Sequence, residues 1–221
     1  MFIYSNIDHE KHIRNFVAEI LENETPDKKC FTVCYILSVY LSIYNISHVI
    51  KSGNVKTSTD EIGHYIVTLK HNKIDIDPTA QQIDMTNPPV LIQEGLYNDD
   101  NFTEIEFEKA YEEWEYRLIN DGLRKPLPTE VLQNLAPEIS EIQRQRIDII
   151  PYLRILVKAY YAFKKVVSEL ESKGQQVNQE FVNYFFEKTN NIFIQNKSKK
   201  GELGDRSVIN NYDLLLKSLG Q

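Results

Sequence analysis

The spacing of apolar residues changes several times within the first hundred positions. In "DHEKHIRNFVAEILEN", Ile13, Phe16, Val17, Ile20 and Leu21 recur at helical intervals, and Asp8 stands where an N-cap belongs. After the break "ETPD" a second helix carries Cys30, Val33, Cys34, Leu37, Val39, Tyr40 and Leu41. "ISHVIKSGNV" is short and β-branched, which predicts a strand running into Gly53, and "KTSTDEIG" predicts a polar loop. "HYIVTLKHNKIDIDPT" predicts a hairpin that turns at His71-Asn72. "TNPPVLIQEGLYNDDN" reads as a loop-rich exit.

From Phe102 onward the pattern predicts helices almost throughout. "TEIEFEKAYEEWEYRLIND" has Thr103 followed by Glu106, the spacing of a capping box, and this helix is expected to end near Gly122. The next stretch, from Leu127 to Gly174, predicts two or three helical segments, broken at Pro137 and kinked at Pro151. "NQEFVNYFFEKTNNIFIQN" and "DRSVINNYDLLLKSLG" supply the last two. No fixed-period repeat and no low-complexity tract interrupts this layout. The expectation is an α+β unit over residues 1–98 followed by an all-helical region over residues 99–221.

Composition narrows the classes. The chain has 221 residues, 42% of them hydrophobic and 26% charged, as a globular domain with a proper core requires. No apolar run approaches the roughly 20 residues that span a bilayer, and no membrane role is expected. The start lacks a basic segment followed by an apolar one, so no secretory signal is read there. Two cysteines make no disulfide framework, and the expected location is cytoplasmic, or reached by translocation without a standard signal. The net charge of −7 argues against a nucleic-acid partner, because affinity for phosphates comes mainly from Lys and Arg.

Chemistry enters with the cysteines. Cys30 and Cys34 share one helical face, but only Cys30 stands near the helix start, behind Pro26, Asp27, Lys28 and Lys29. A thiolate is favoured there by the helix dipole and by neighbouring cations. Cys34, a turn deeper in apolar surroundings, reads as a small core residue. Thiol catalysis also needs a base and a group that orients it. With a turn at His71-Asn72, Lys70 pairs with Lys73, Leu69 with Ile74, Val67 with Ile76 and Ile66 with Asp77. One face then carries Tyr65, Val67, Leu69, Ile74 and Ile76, and the other His64, Ile66, Thr68, Asp75, Asp77 and Thr79. Any even-numbered loop keeps this parity. His64 and Asp77 thus become diagonal cross-strand neighbours within side-chain reach.

In order, the chain has Cys30, Cys34 at +4, Leu37 and Leu41, a strand ending in glycine, "HYIV" from His64, and "IDIDPT" from Ile74. This series resembles the transglutaminase-like branch of the papain-like cysteine protease superfamily, over roughly residues 26–82. The resemblance implies a helix bearing the cysteine packed on a small antiparallel sheet, with Cys30 as nucleophile, His64 as base and Asp77 as orienting acid. It also implies attack on an amide bond of a protein or peptide substrate through an acyl-thioester, ending in proteolysis, glutamine deamidation or transamidation. No cofactor and no metal are implied. Lys29, Phe31 and Tyr65 stand where the family often has Gly or Trp around the cysteine and Trp after the histidine. The Cys30 amide remains a candidate oxyanion donor, the second donor is open, and substrate-binding residues are unassigned.

Other readings compete. Asp75 is an alternative orienter of His64, and Gln81 and Gln82 are candidate donors to substrate or else exposed loop residues. Cys30, Cys34, His64 and His71 have the ligand chemistry for zinc but not a recurrent finger spacing. His9 and His12 flank Glu10 without forming H-E-x-x-H, and His48 reads as a strand residue with a satisfied ring. Trp114 reads as a core or interface anchor, and the acidic run from Glu104 to Glu115 as a solvated helix face. No G-x-S-x-G and no glycine-rich phosphate loop occurs. The leading expectation is a selective, effector-like cysteine enzyme acting on a folded protein partner. The alternative is a non-catalytic interaction module on the same scaffold, binding a partner through the aromatic-rich helical stretch "YLRILVKAYYAFKKVV".

Overall fold

The computed structural model describes residues 6–57, 60–97, 101–106, 108–109, 111–112, 114–115, 149–178 and 182–188, with side chains of 6–9, 149 and 150 excepted. The fold class is α+β. Helices α1 (Asn6–Ile20) and α2 (Cys30–Ile43) precede a five-stranded, wholly antiparallel sheet. Its strands are β1 (His48–Lys56), β2 (Glu61–Leu69), β3 (Ile74–Asp77), β4 (Leu91–Glu94) and β5 (Phe102–Glu104), in the spatial order β4-β3-β2-β1-β5. A 3-10 turn at Ala80–Gln82 follows β3, and a long helix, α3, covers Ile149–Ser172. The expected helix breaks near Gly122 and Pro137 and the last expected helix lie outside the described residues.

Two compact units divide the chain. One comprises Met1–Glu106 with Lys158–Phe186, and the other Phe107–Val157 with Glu187–Gln221. In the second, Trp114 and Tyr111 are buried and pack as a tilted pair with ring centroids 5.5 Å apart. Lys188 approaches Glu115 at 3.7 Å there and lies over the Tyr111 ring. The candidate site lies in the first unit.

α1 buries Ile13, Phe16, Val17 and Ile20, the stripe expected from its spacing, and Asp8 lies within the helix rather than capping it. α2 is apolar on all sides, and every residue except Ser42 is buried, as a helix without a polar face requires. It begins at Cys30, not in the preceding Pro26–Lys29 turn. The N-cap is Lys29, and no side chain caps the helix. The turn is closed by the Lys29 amide donating to the Pro26 carbonyl at 3.1 Å, with Lys28 in the left-handed region at φ 58°. α2 ends in a Schellman motif at left-handed Asn45: Ile46 N–H donates to Leu41 O at 2.9 Å and Asn45 N–H to Ser42 O at 3.0 Å. α3 adds Phe163 to this core, stacked on Phe16 and edge-on to Phe185. In the stretch offered for partner binding, Ala159, Ala162 and Phe163 are thus committed to internal packing, while Tyr161 is exposed.

The hairpin register is the one expected: Val67 faces Ile76, Thr68 faces Asp75 and Leu69 faces Ile74. The turn spans Lys70–Lys73 and so holds four residues rather than two, with Lys73 left-handed at φ 54°. An even count leaves the parity of the two faces untouched.

Four strands depart from expectation. β1 runs through Gly53 to Lys56, and β2 starts at Glu61, inside the expected loop. β4 forms within the "loop-rich" exit, as a short, half-exposed edge strand on β3 whose composition carries little strand signal. β5 takes Phe102–Glu104 into the sheet, so Thr103 is a strand residue and not a helix cap. Gly53 permits this pairing. A Cβ at Gly53 would run into the Asn101 carbonyl oxygen and the Phe102 ring, so only glycine lets β5 approach. Gly53 stands opposite both His64 on β2 and Phe102 on β5, which brings a strand from beyond residue 98 beside the histidine.

Candidate active site

Asp77 closes β3 in the sequence Asp-Pro-Thr. Its Oδ1 accepts the Thr79 amide at 2.9 Å and the Thr79 hydroxyl at 3.4 Å, an Asx turn across a proline whose ring restricts the backbone. Its Oδ2 accepts His64 Nε2–H at 2.8 Å and the Tyr97 hydroxyl at 2.6 Å. Each carboxylate oxygen therefore holds two donors, and the group is saturated as an acceptor. His64 and Asp77 are 1% and 0% exposed, so this pair sits in a low-dielectric interior where its mutual hold is strong. A small apolar cluster of Val55, Ile66 and Phe102 has Ile83 and Tyr97 packed against it, and Tyr97 joins it to the pair.

The Asp77 bond fixes the His64 tautomer: Nε2 carries a proton, and Nδ1 is the nitrogen left for another partner. Nδ1 is buried and makes no hydrogen bond of full geometry among the described residues. Burial is the largest single influence on this imidazole and opposes its charge. The hydrogen bonds and charges of Asp77 and Cys30 together outweigh it and raise the His64 pKa to about 9. Cys30 thus stands close enough to act on His64, whose Nδ1 makes no hydrogen bond among the described residues. Contacts between nucleophile and base are commonly loose without substrate and tighten around it.

Cys30 occupies the first position of α2, where the helix dipole favours negative charge and the first-turn amides lack intrahelical acceptors. Lys29 is buried just before it, and its ammonium donates to the Asp27 carbonyl at 3.1 Å and the Thr25 hydroxyl at 3.4 Å. Cys34 has a different environment. Its thiol donates to the Tyr65 carbonyl at 3.3 Å, and its pKa is pushed well up by burial, then by the charges of Cys30 and Asp77. Both cysteines are free. Phe31 meets the Tyr65 ring edge-on at 5.1 Å, tying the first turn of α2 to β2 beside His64.

The structure assigns other candidates elsewhere. Asp75 does not orient His64: its Oδ1 accepts the Thr68 hydroxyl at 2.6 Å, and its Oδ2 accepts the Leu96 amide at 3.2 Å. His71 lies exposed at the hairpin turn, seven residues along the chain from His64 and roughly 20 Å away at the rise of a strand. Among the described residues no group of three or more His, Cys, Asp or Glu is arranged to hold a metal. His48 is satisfied on both nitrogens, by the Ser38 hydroxyl at 2.6 Å and the Ile46 carbonyl at 2.7 Å. Gln81 is half-buried and donates to the Asn87 carbonyl at 3.2 Å. Gln82 is also half-buried, and its Oε1 has no hydrogen-bond partner among the described residues. Tyr97 was not anticipated from the sequence. It follows β4 by three residues, and its only local signal is Gly95, left-handed at φ 61°.

Comparison with models of protein families, with curated proteins and with solved structures finds no match to this chain. Among the described residues no helix is long and apolar enough to cross a membrane.

Proposed function

We propose that this protein is a cysteine enzyme of the transglutaminase-like branch of the papain-like fold, acting on an amide bond of a protein substrate with Cys30, His64 and Asp77 as its triad. One observation carries the reading: a buried His64–Asp77 pair whose second imidazole nitrogen is left unfilled, with a cysteine at a helix N-terminus close enough to act on the ring. A cation at that position favours a thiolate, and an imidazolium is the acid the next step needs.

In the proposed cycle the Cys30 sulfur adds to the substrate carbonyl carbon, and the resulting oxyanion is met by the Cys30 backbone N–H. His64 passes its Nδ1 proton to the leaving nitrogen as the C–N bond breaks, which leaves an acyl-thioester and a neutral imidazole. His64 then takes a proton from water or an amine, which attacks the thioester and releases Cys30. Asp77 stays a carboxylate throughout and holds the ring with Nδ1 toward the sulfur. Water gives proteolysis or, on a glutamine side chain, deamidation; an amine gives transamidation. The second compact unit serves recognition of the substrate in this reading, and a reducing cytoplasmic setting keeps both thiols free.

Iodoacetamide labelling of the native protein across the pH range tests the proposal. Cys30 should label fast near neutral pH with a bell-shaped profile, while Cys34 should label only on unfolding. If both thiols label slowly until the protein unfolds, the enzyme reading fails and the chain is an interaction protein. Incubating wild type and Cys30→Ala with a cell lysate, then searching by mass spectrometry for new termini, deamidated glutamines or isopeptide links, separates the three outcomes.

A further inference from the structure

We propose that Tyr97 is a positioning residue of this site: its hydroxyl shares Oδ2 of Asp77 with His64 and so limits how tightly the carboxylate holds the imidazolium. The inference rests on the reading of Cys30, His64 and Asp77 given above, and deepens it. Two donors converge on one oxygen, His64 Nε2 at 2.8 Å and the Tyr97 hydroxyl at 2.6 Å. Each hydrogen bond a carboxylate oxygen accepts draws electron density from the other, so a second donor weakens the hold on the first. An Asp77 bound by His64 alone would keep the imidazole charged and reluctant to release its proton to the leaving group. Sharing the oxygen moves His64 back toward the pH at which it can both give and take a proton.

The surroundings show how the hydroxyl is held there. The Tyr97 ring stacks on Phe102 with centroids 5.4 Å apart and planes 14° apart, and meets the His64 ring edge-on at 6.0 Å. The preceding residue is tied down by Asp75, whose Oδ2 accepts the Leu96 amide while its Oδ1 is held by Thr68 across the hairpin. Asp75 thus anchors the loop that delivers Tyr97, one face position away from the carboxylate that Tyr97 touches. Burial, then the charge of Asp77 and the hydrogen bond to it, push the Tyr97 phenol well above its usual range, so it remains a donor at any working pH.

The titratable groups around His64 come from every neighbouring element. Cys30 comes from α2, with Cys34 one turn on, Asp77 from β3, and Tyr97 from the loop after β4. On β1, Lys51 shares the face of Gly53 and stands opposite Ile66 and Glu104, while Gly53 and Phe102, beside His64, bring no charge.

The test is Tyr97→Phe, which removes the hydroxyl and keeps the ring on Phe102, read by histidine-resolved NMR titration of the full chain. The His64 midpoint should rise by about half a pH unit or more. The alkaline limb of Cys30 alkylation should move up with it. Replacing Tyr97 with 3-fluorotyrosine, a more acidic donor, should move both the other way. A His64 midpoint that stays put or falls in Tyr97→Phe, or shifts of the same sign in the two variants, would overturn the proposal and leave Tyr97 a packing residue. The NMR arm reads Tyr97 even if Cys30 proves unreactive in wild type, so failure of the enzyme reading and failure of this inference give different results.

Discussion

Two histidines on adjacent strands, half-buried His48 and fully buried His64, meet α2 at different points along its length and have opposite fates. His48 lies beside Ser38, beyond the middle of the helix, and each of its nitrogens is matched by a neutral group, the Ser38 hydroxyl or the Ile46 carbonyl. Burial lowers its pKa, opposed by the Ile46 bond and aided by the charge of Lys70, and the ring stays neutral. His64 lies within the influence of Cys30 at the helix start, with one nitrogen on a carboxylate and the other making no hydrogen bond among the described residues. Burial acts against its charge too, yet Asp77 and Cys30 outweigh it. The same side chain is a strut in one place and a titrating group in the other. The difference is the charge of its partner and whether its second nitrogen is filled.

The largest break in this contrast should come from Asp77→Ala. It strands the His64 Nε2–H, the Tyr97 hydroxyl and the Thr79 amide in the interior at once. A loss of about 3–5 kcal/mol is expected, as for breaking other buried charge pairs. Denaturant melts measure it, and native Cys30 labelling should collapse in the same protein. A loss below about 1 kcal/mol would mean that Asp77 is not the buried keystone described here.

The pH dependence of stability sharpens the contrast at intermediate size. The folded pKa of His64 is raised, so its contribution is full below about 6.5 and is lost as pH rises through about 9. At about 1.4 kcal/mol for each pH unit between the two values, that loss approaches about 3 kcal/mol. For His48 the folded pKa is lowered, so stability falls as pH drops below its ordinary 6.5. Denaturant midpoints across pH should therefore decline on both sides, and Asp77→Asn should flatten the alkaline side alone. An alkaline decline that persists unchanged in Asp77→Asn would sever it from this pair.

The smallest effect is expected from Ser38→Ala. It removes the hydroxyl from His48 Nε2 and should cost about 1 kcal/mol, as for one lost hydrogen bond at a half-buried ring. The rate and pH profile of Cys30 labelling should not change. If they do, the two histidines are coupled through α2 and the contrast between them is not local.

How much of this was legible in the chain differs by element. The helical stripe of Ile13, Phe16, Val17 and Ile20 and the uniformly apolar α2 are written in short-range spacing, and both were read correctly. The boundary of α2 was not, because Pro26 and Asp27 have the composition of a first turn while the chain uses them in a preceding loop closed by left-handed Lys28. β4 and β5 are only four and three residues long, and mostly polar, so their strand character comes from the edges of β3 and β1 that receive them. A capping-box spacing at Thr103 misled for the same reason: once Gly53 admits Phe102, the ladder to β1 overrides a local preference.

The pairing of His64 with Asp77 was already implicit in the amino-acid order. A period of two along each strand, with any even turn between them, puts both residues on one face, and Asp-Pro-Thr ends the strand in a turn that holds the carboxylate. Tyr97 on Oδ2, Asp75 on the Leu96 amide and Phe102 beside the histidine could not be read that way. Those contacts join residues 20 or more positions apart whose local sequence bears no mark of the partner. Folding alone brings them together, because burying Asp77 requires that each of its lone pairs find a donor, whichever segment can supply one.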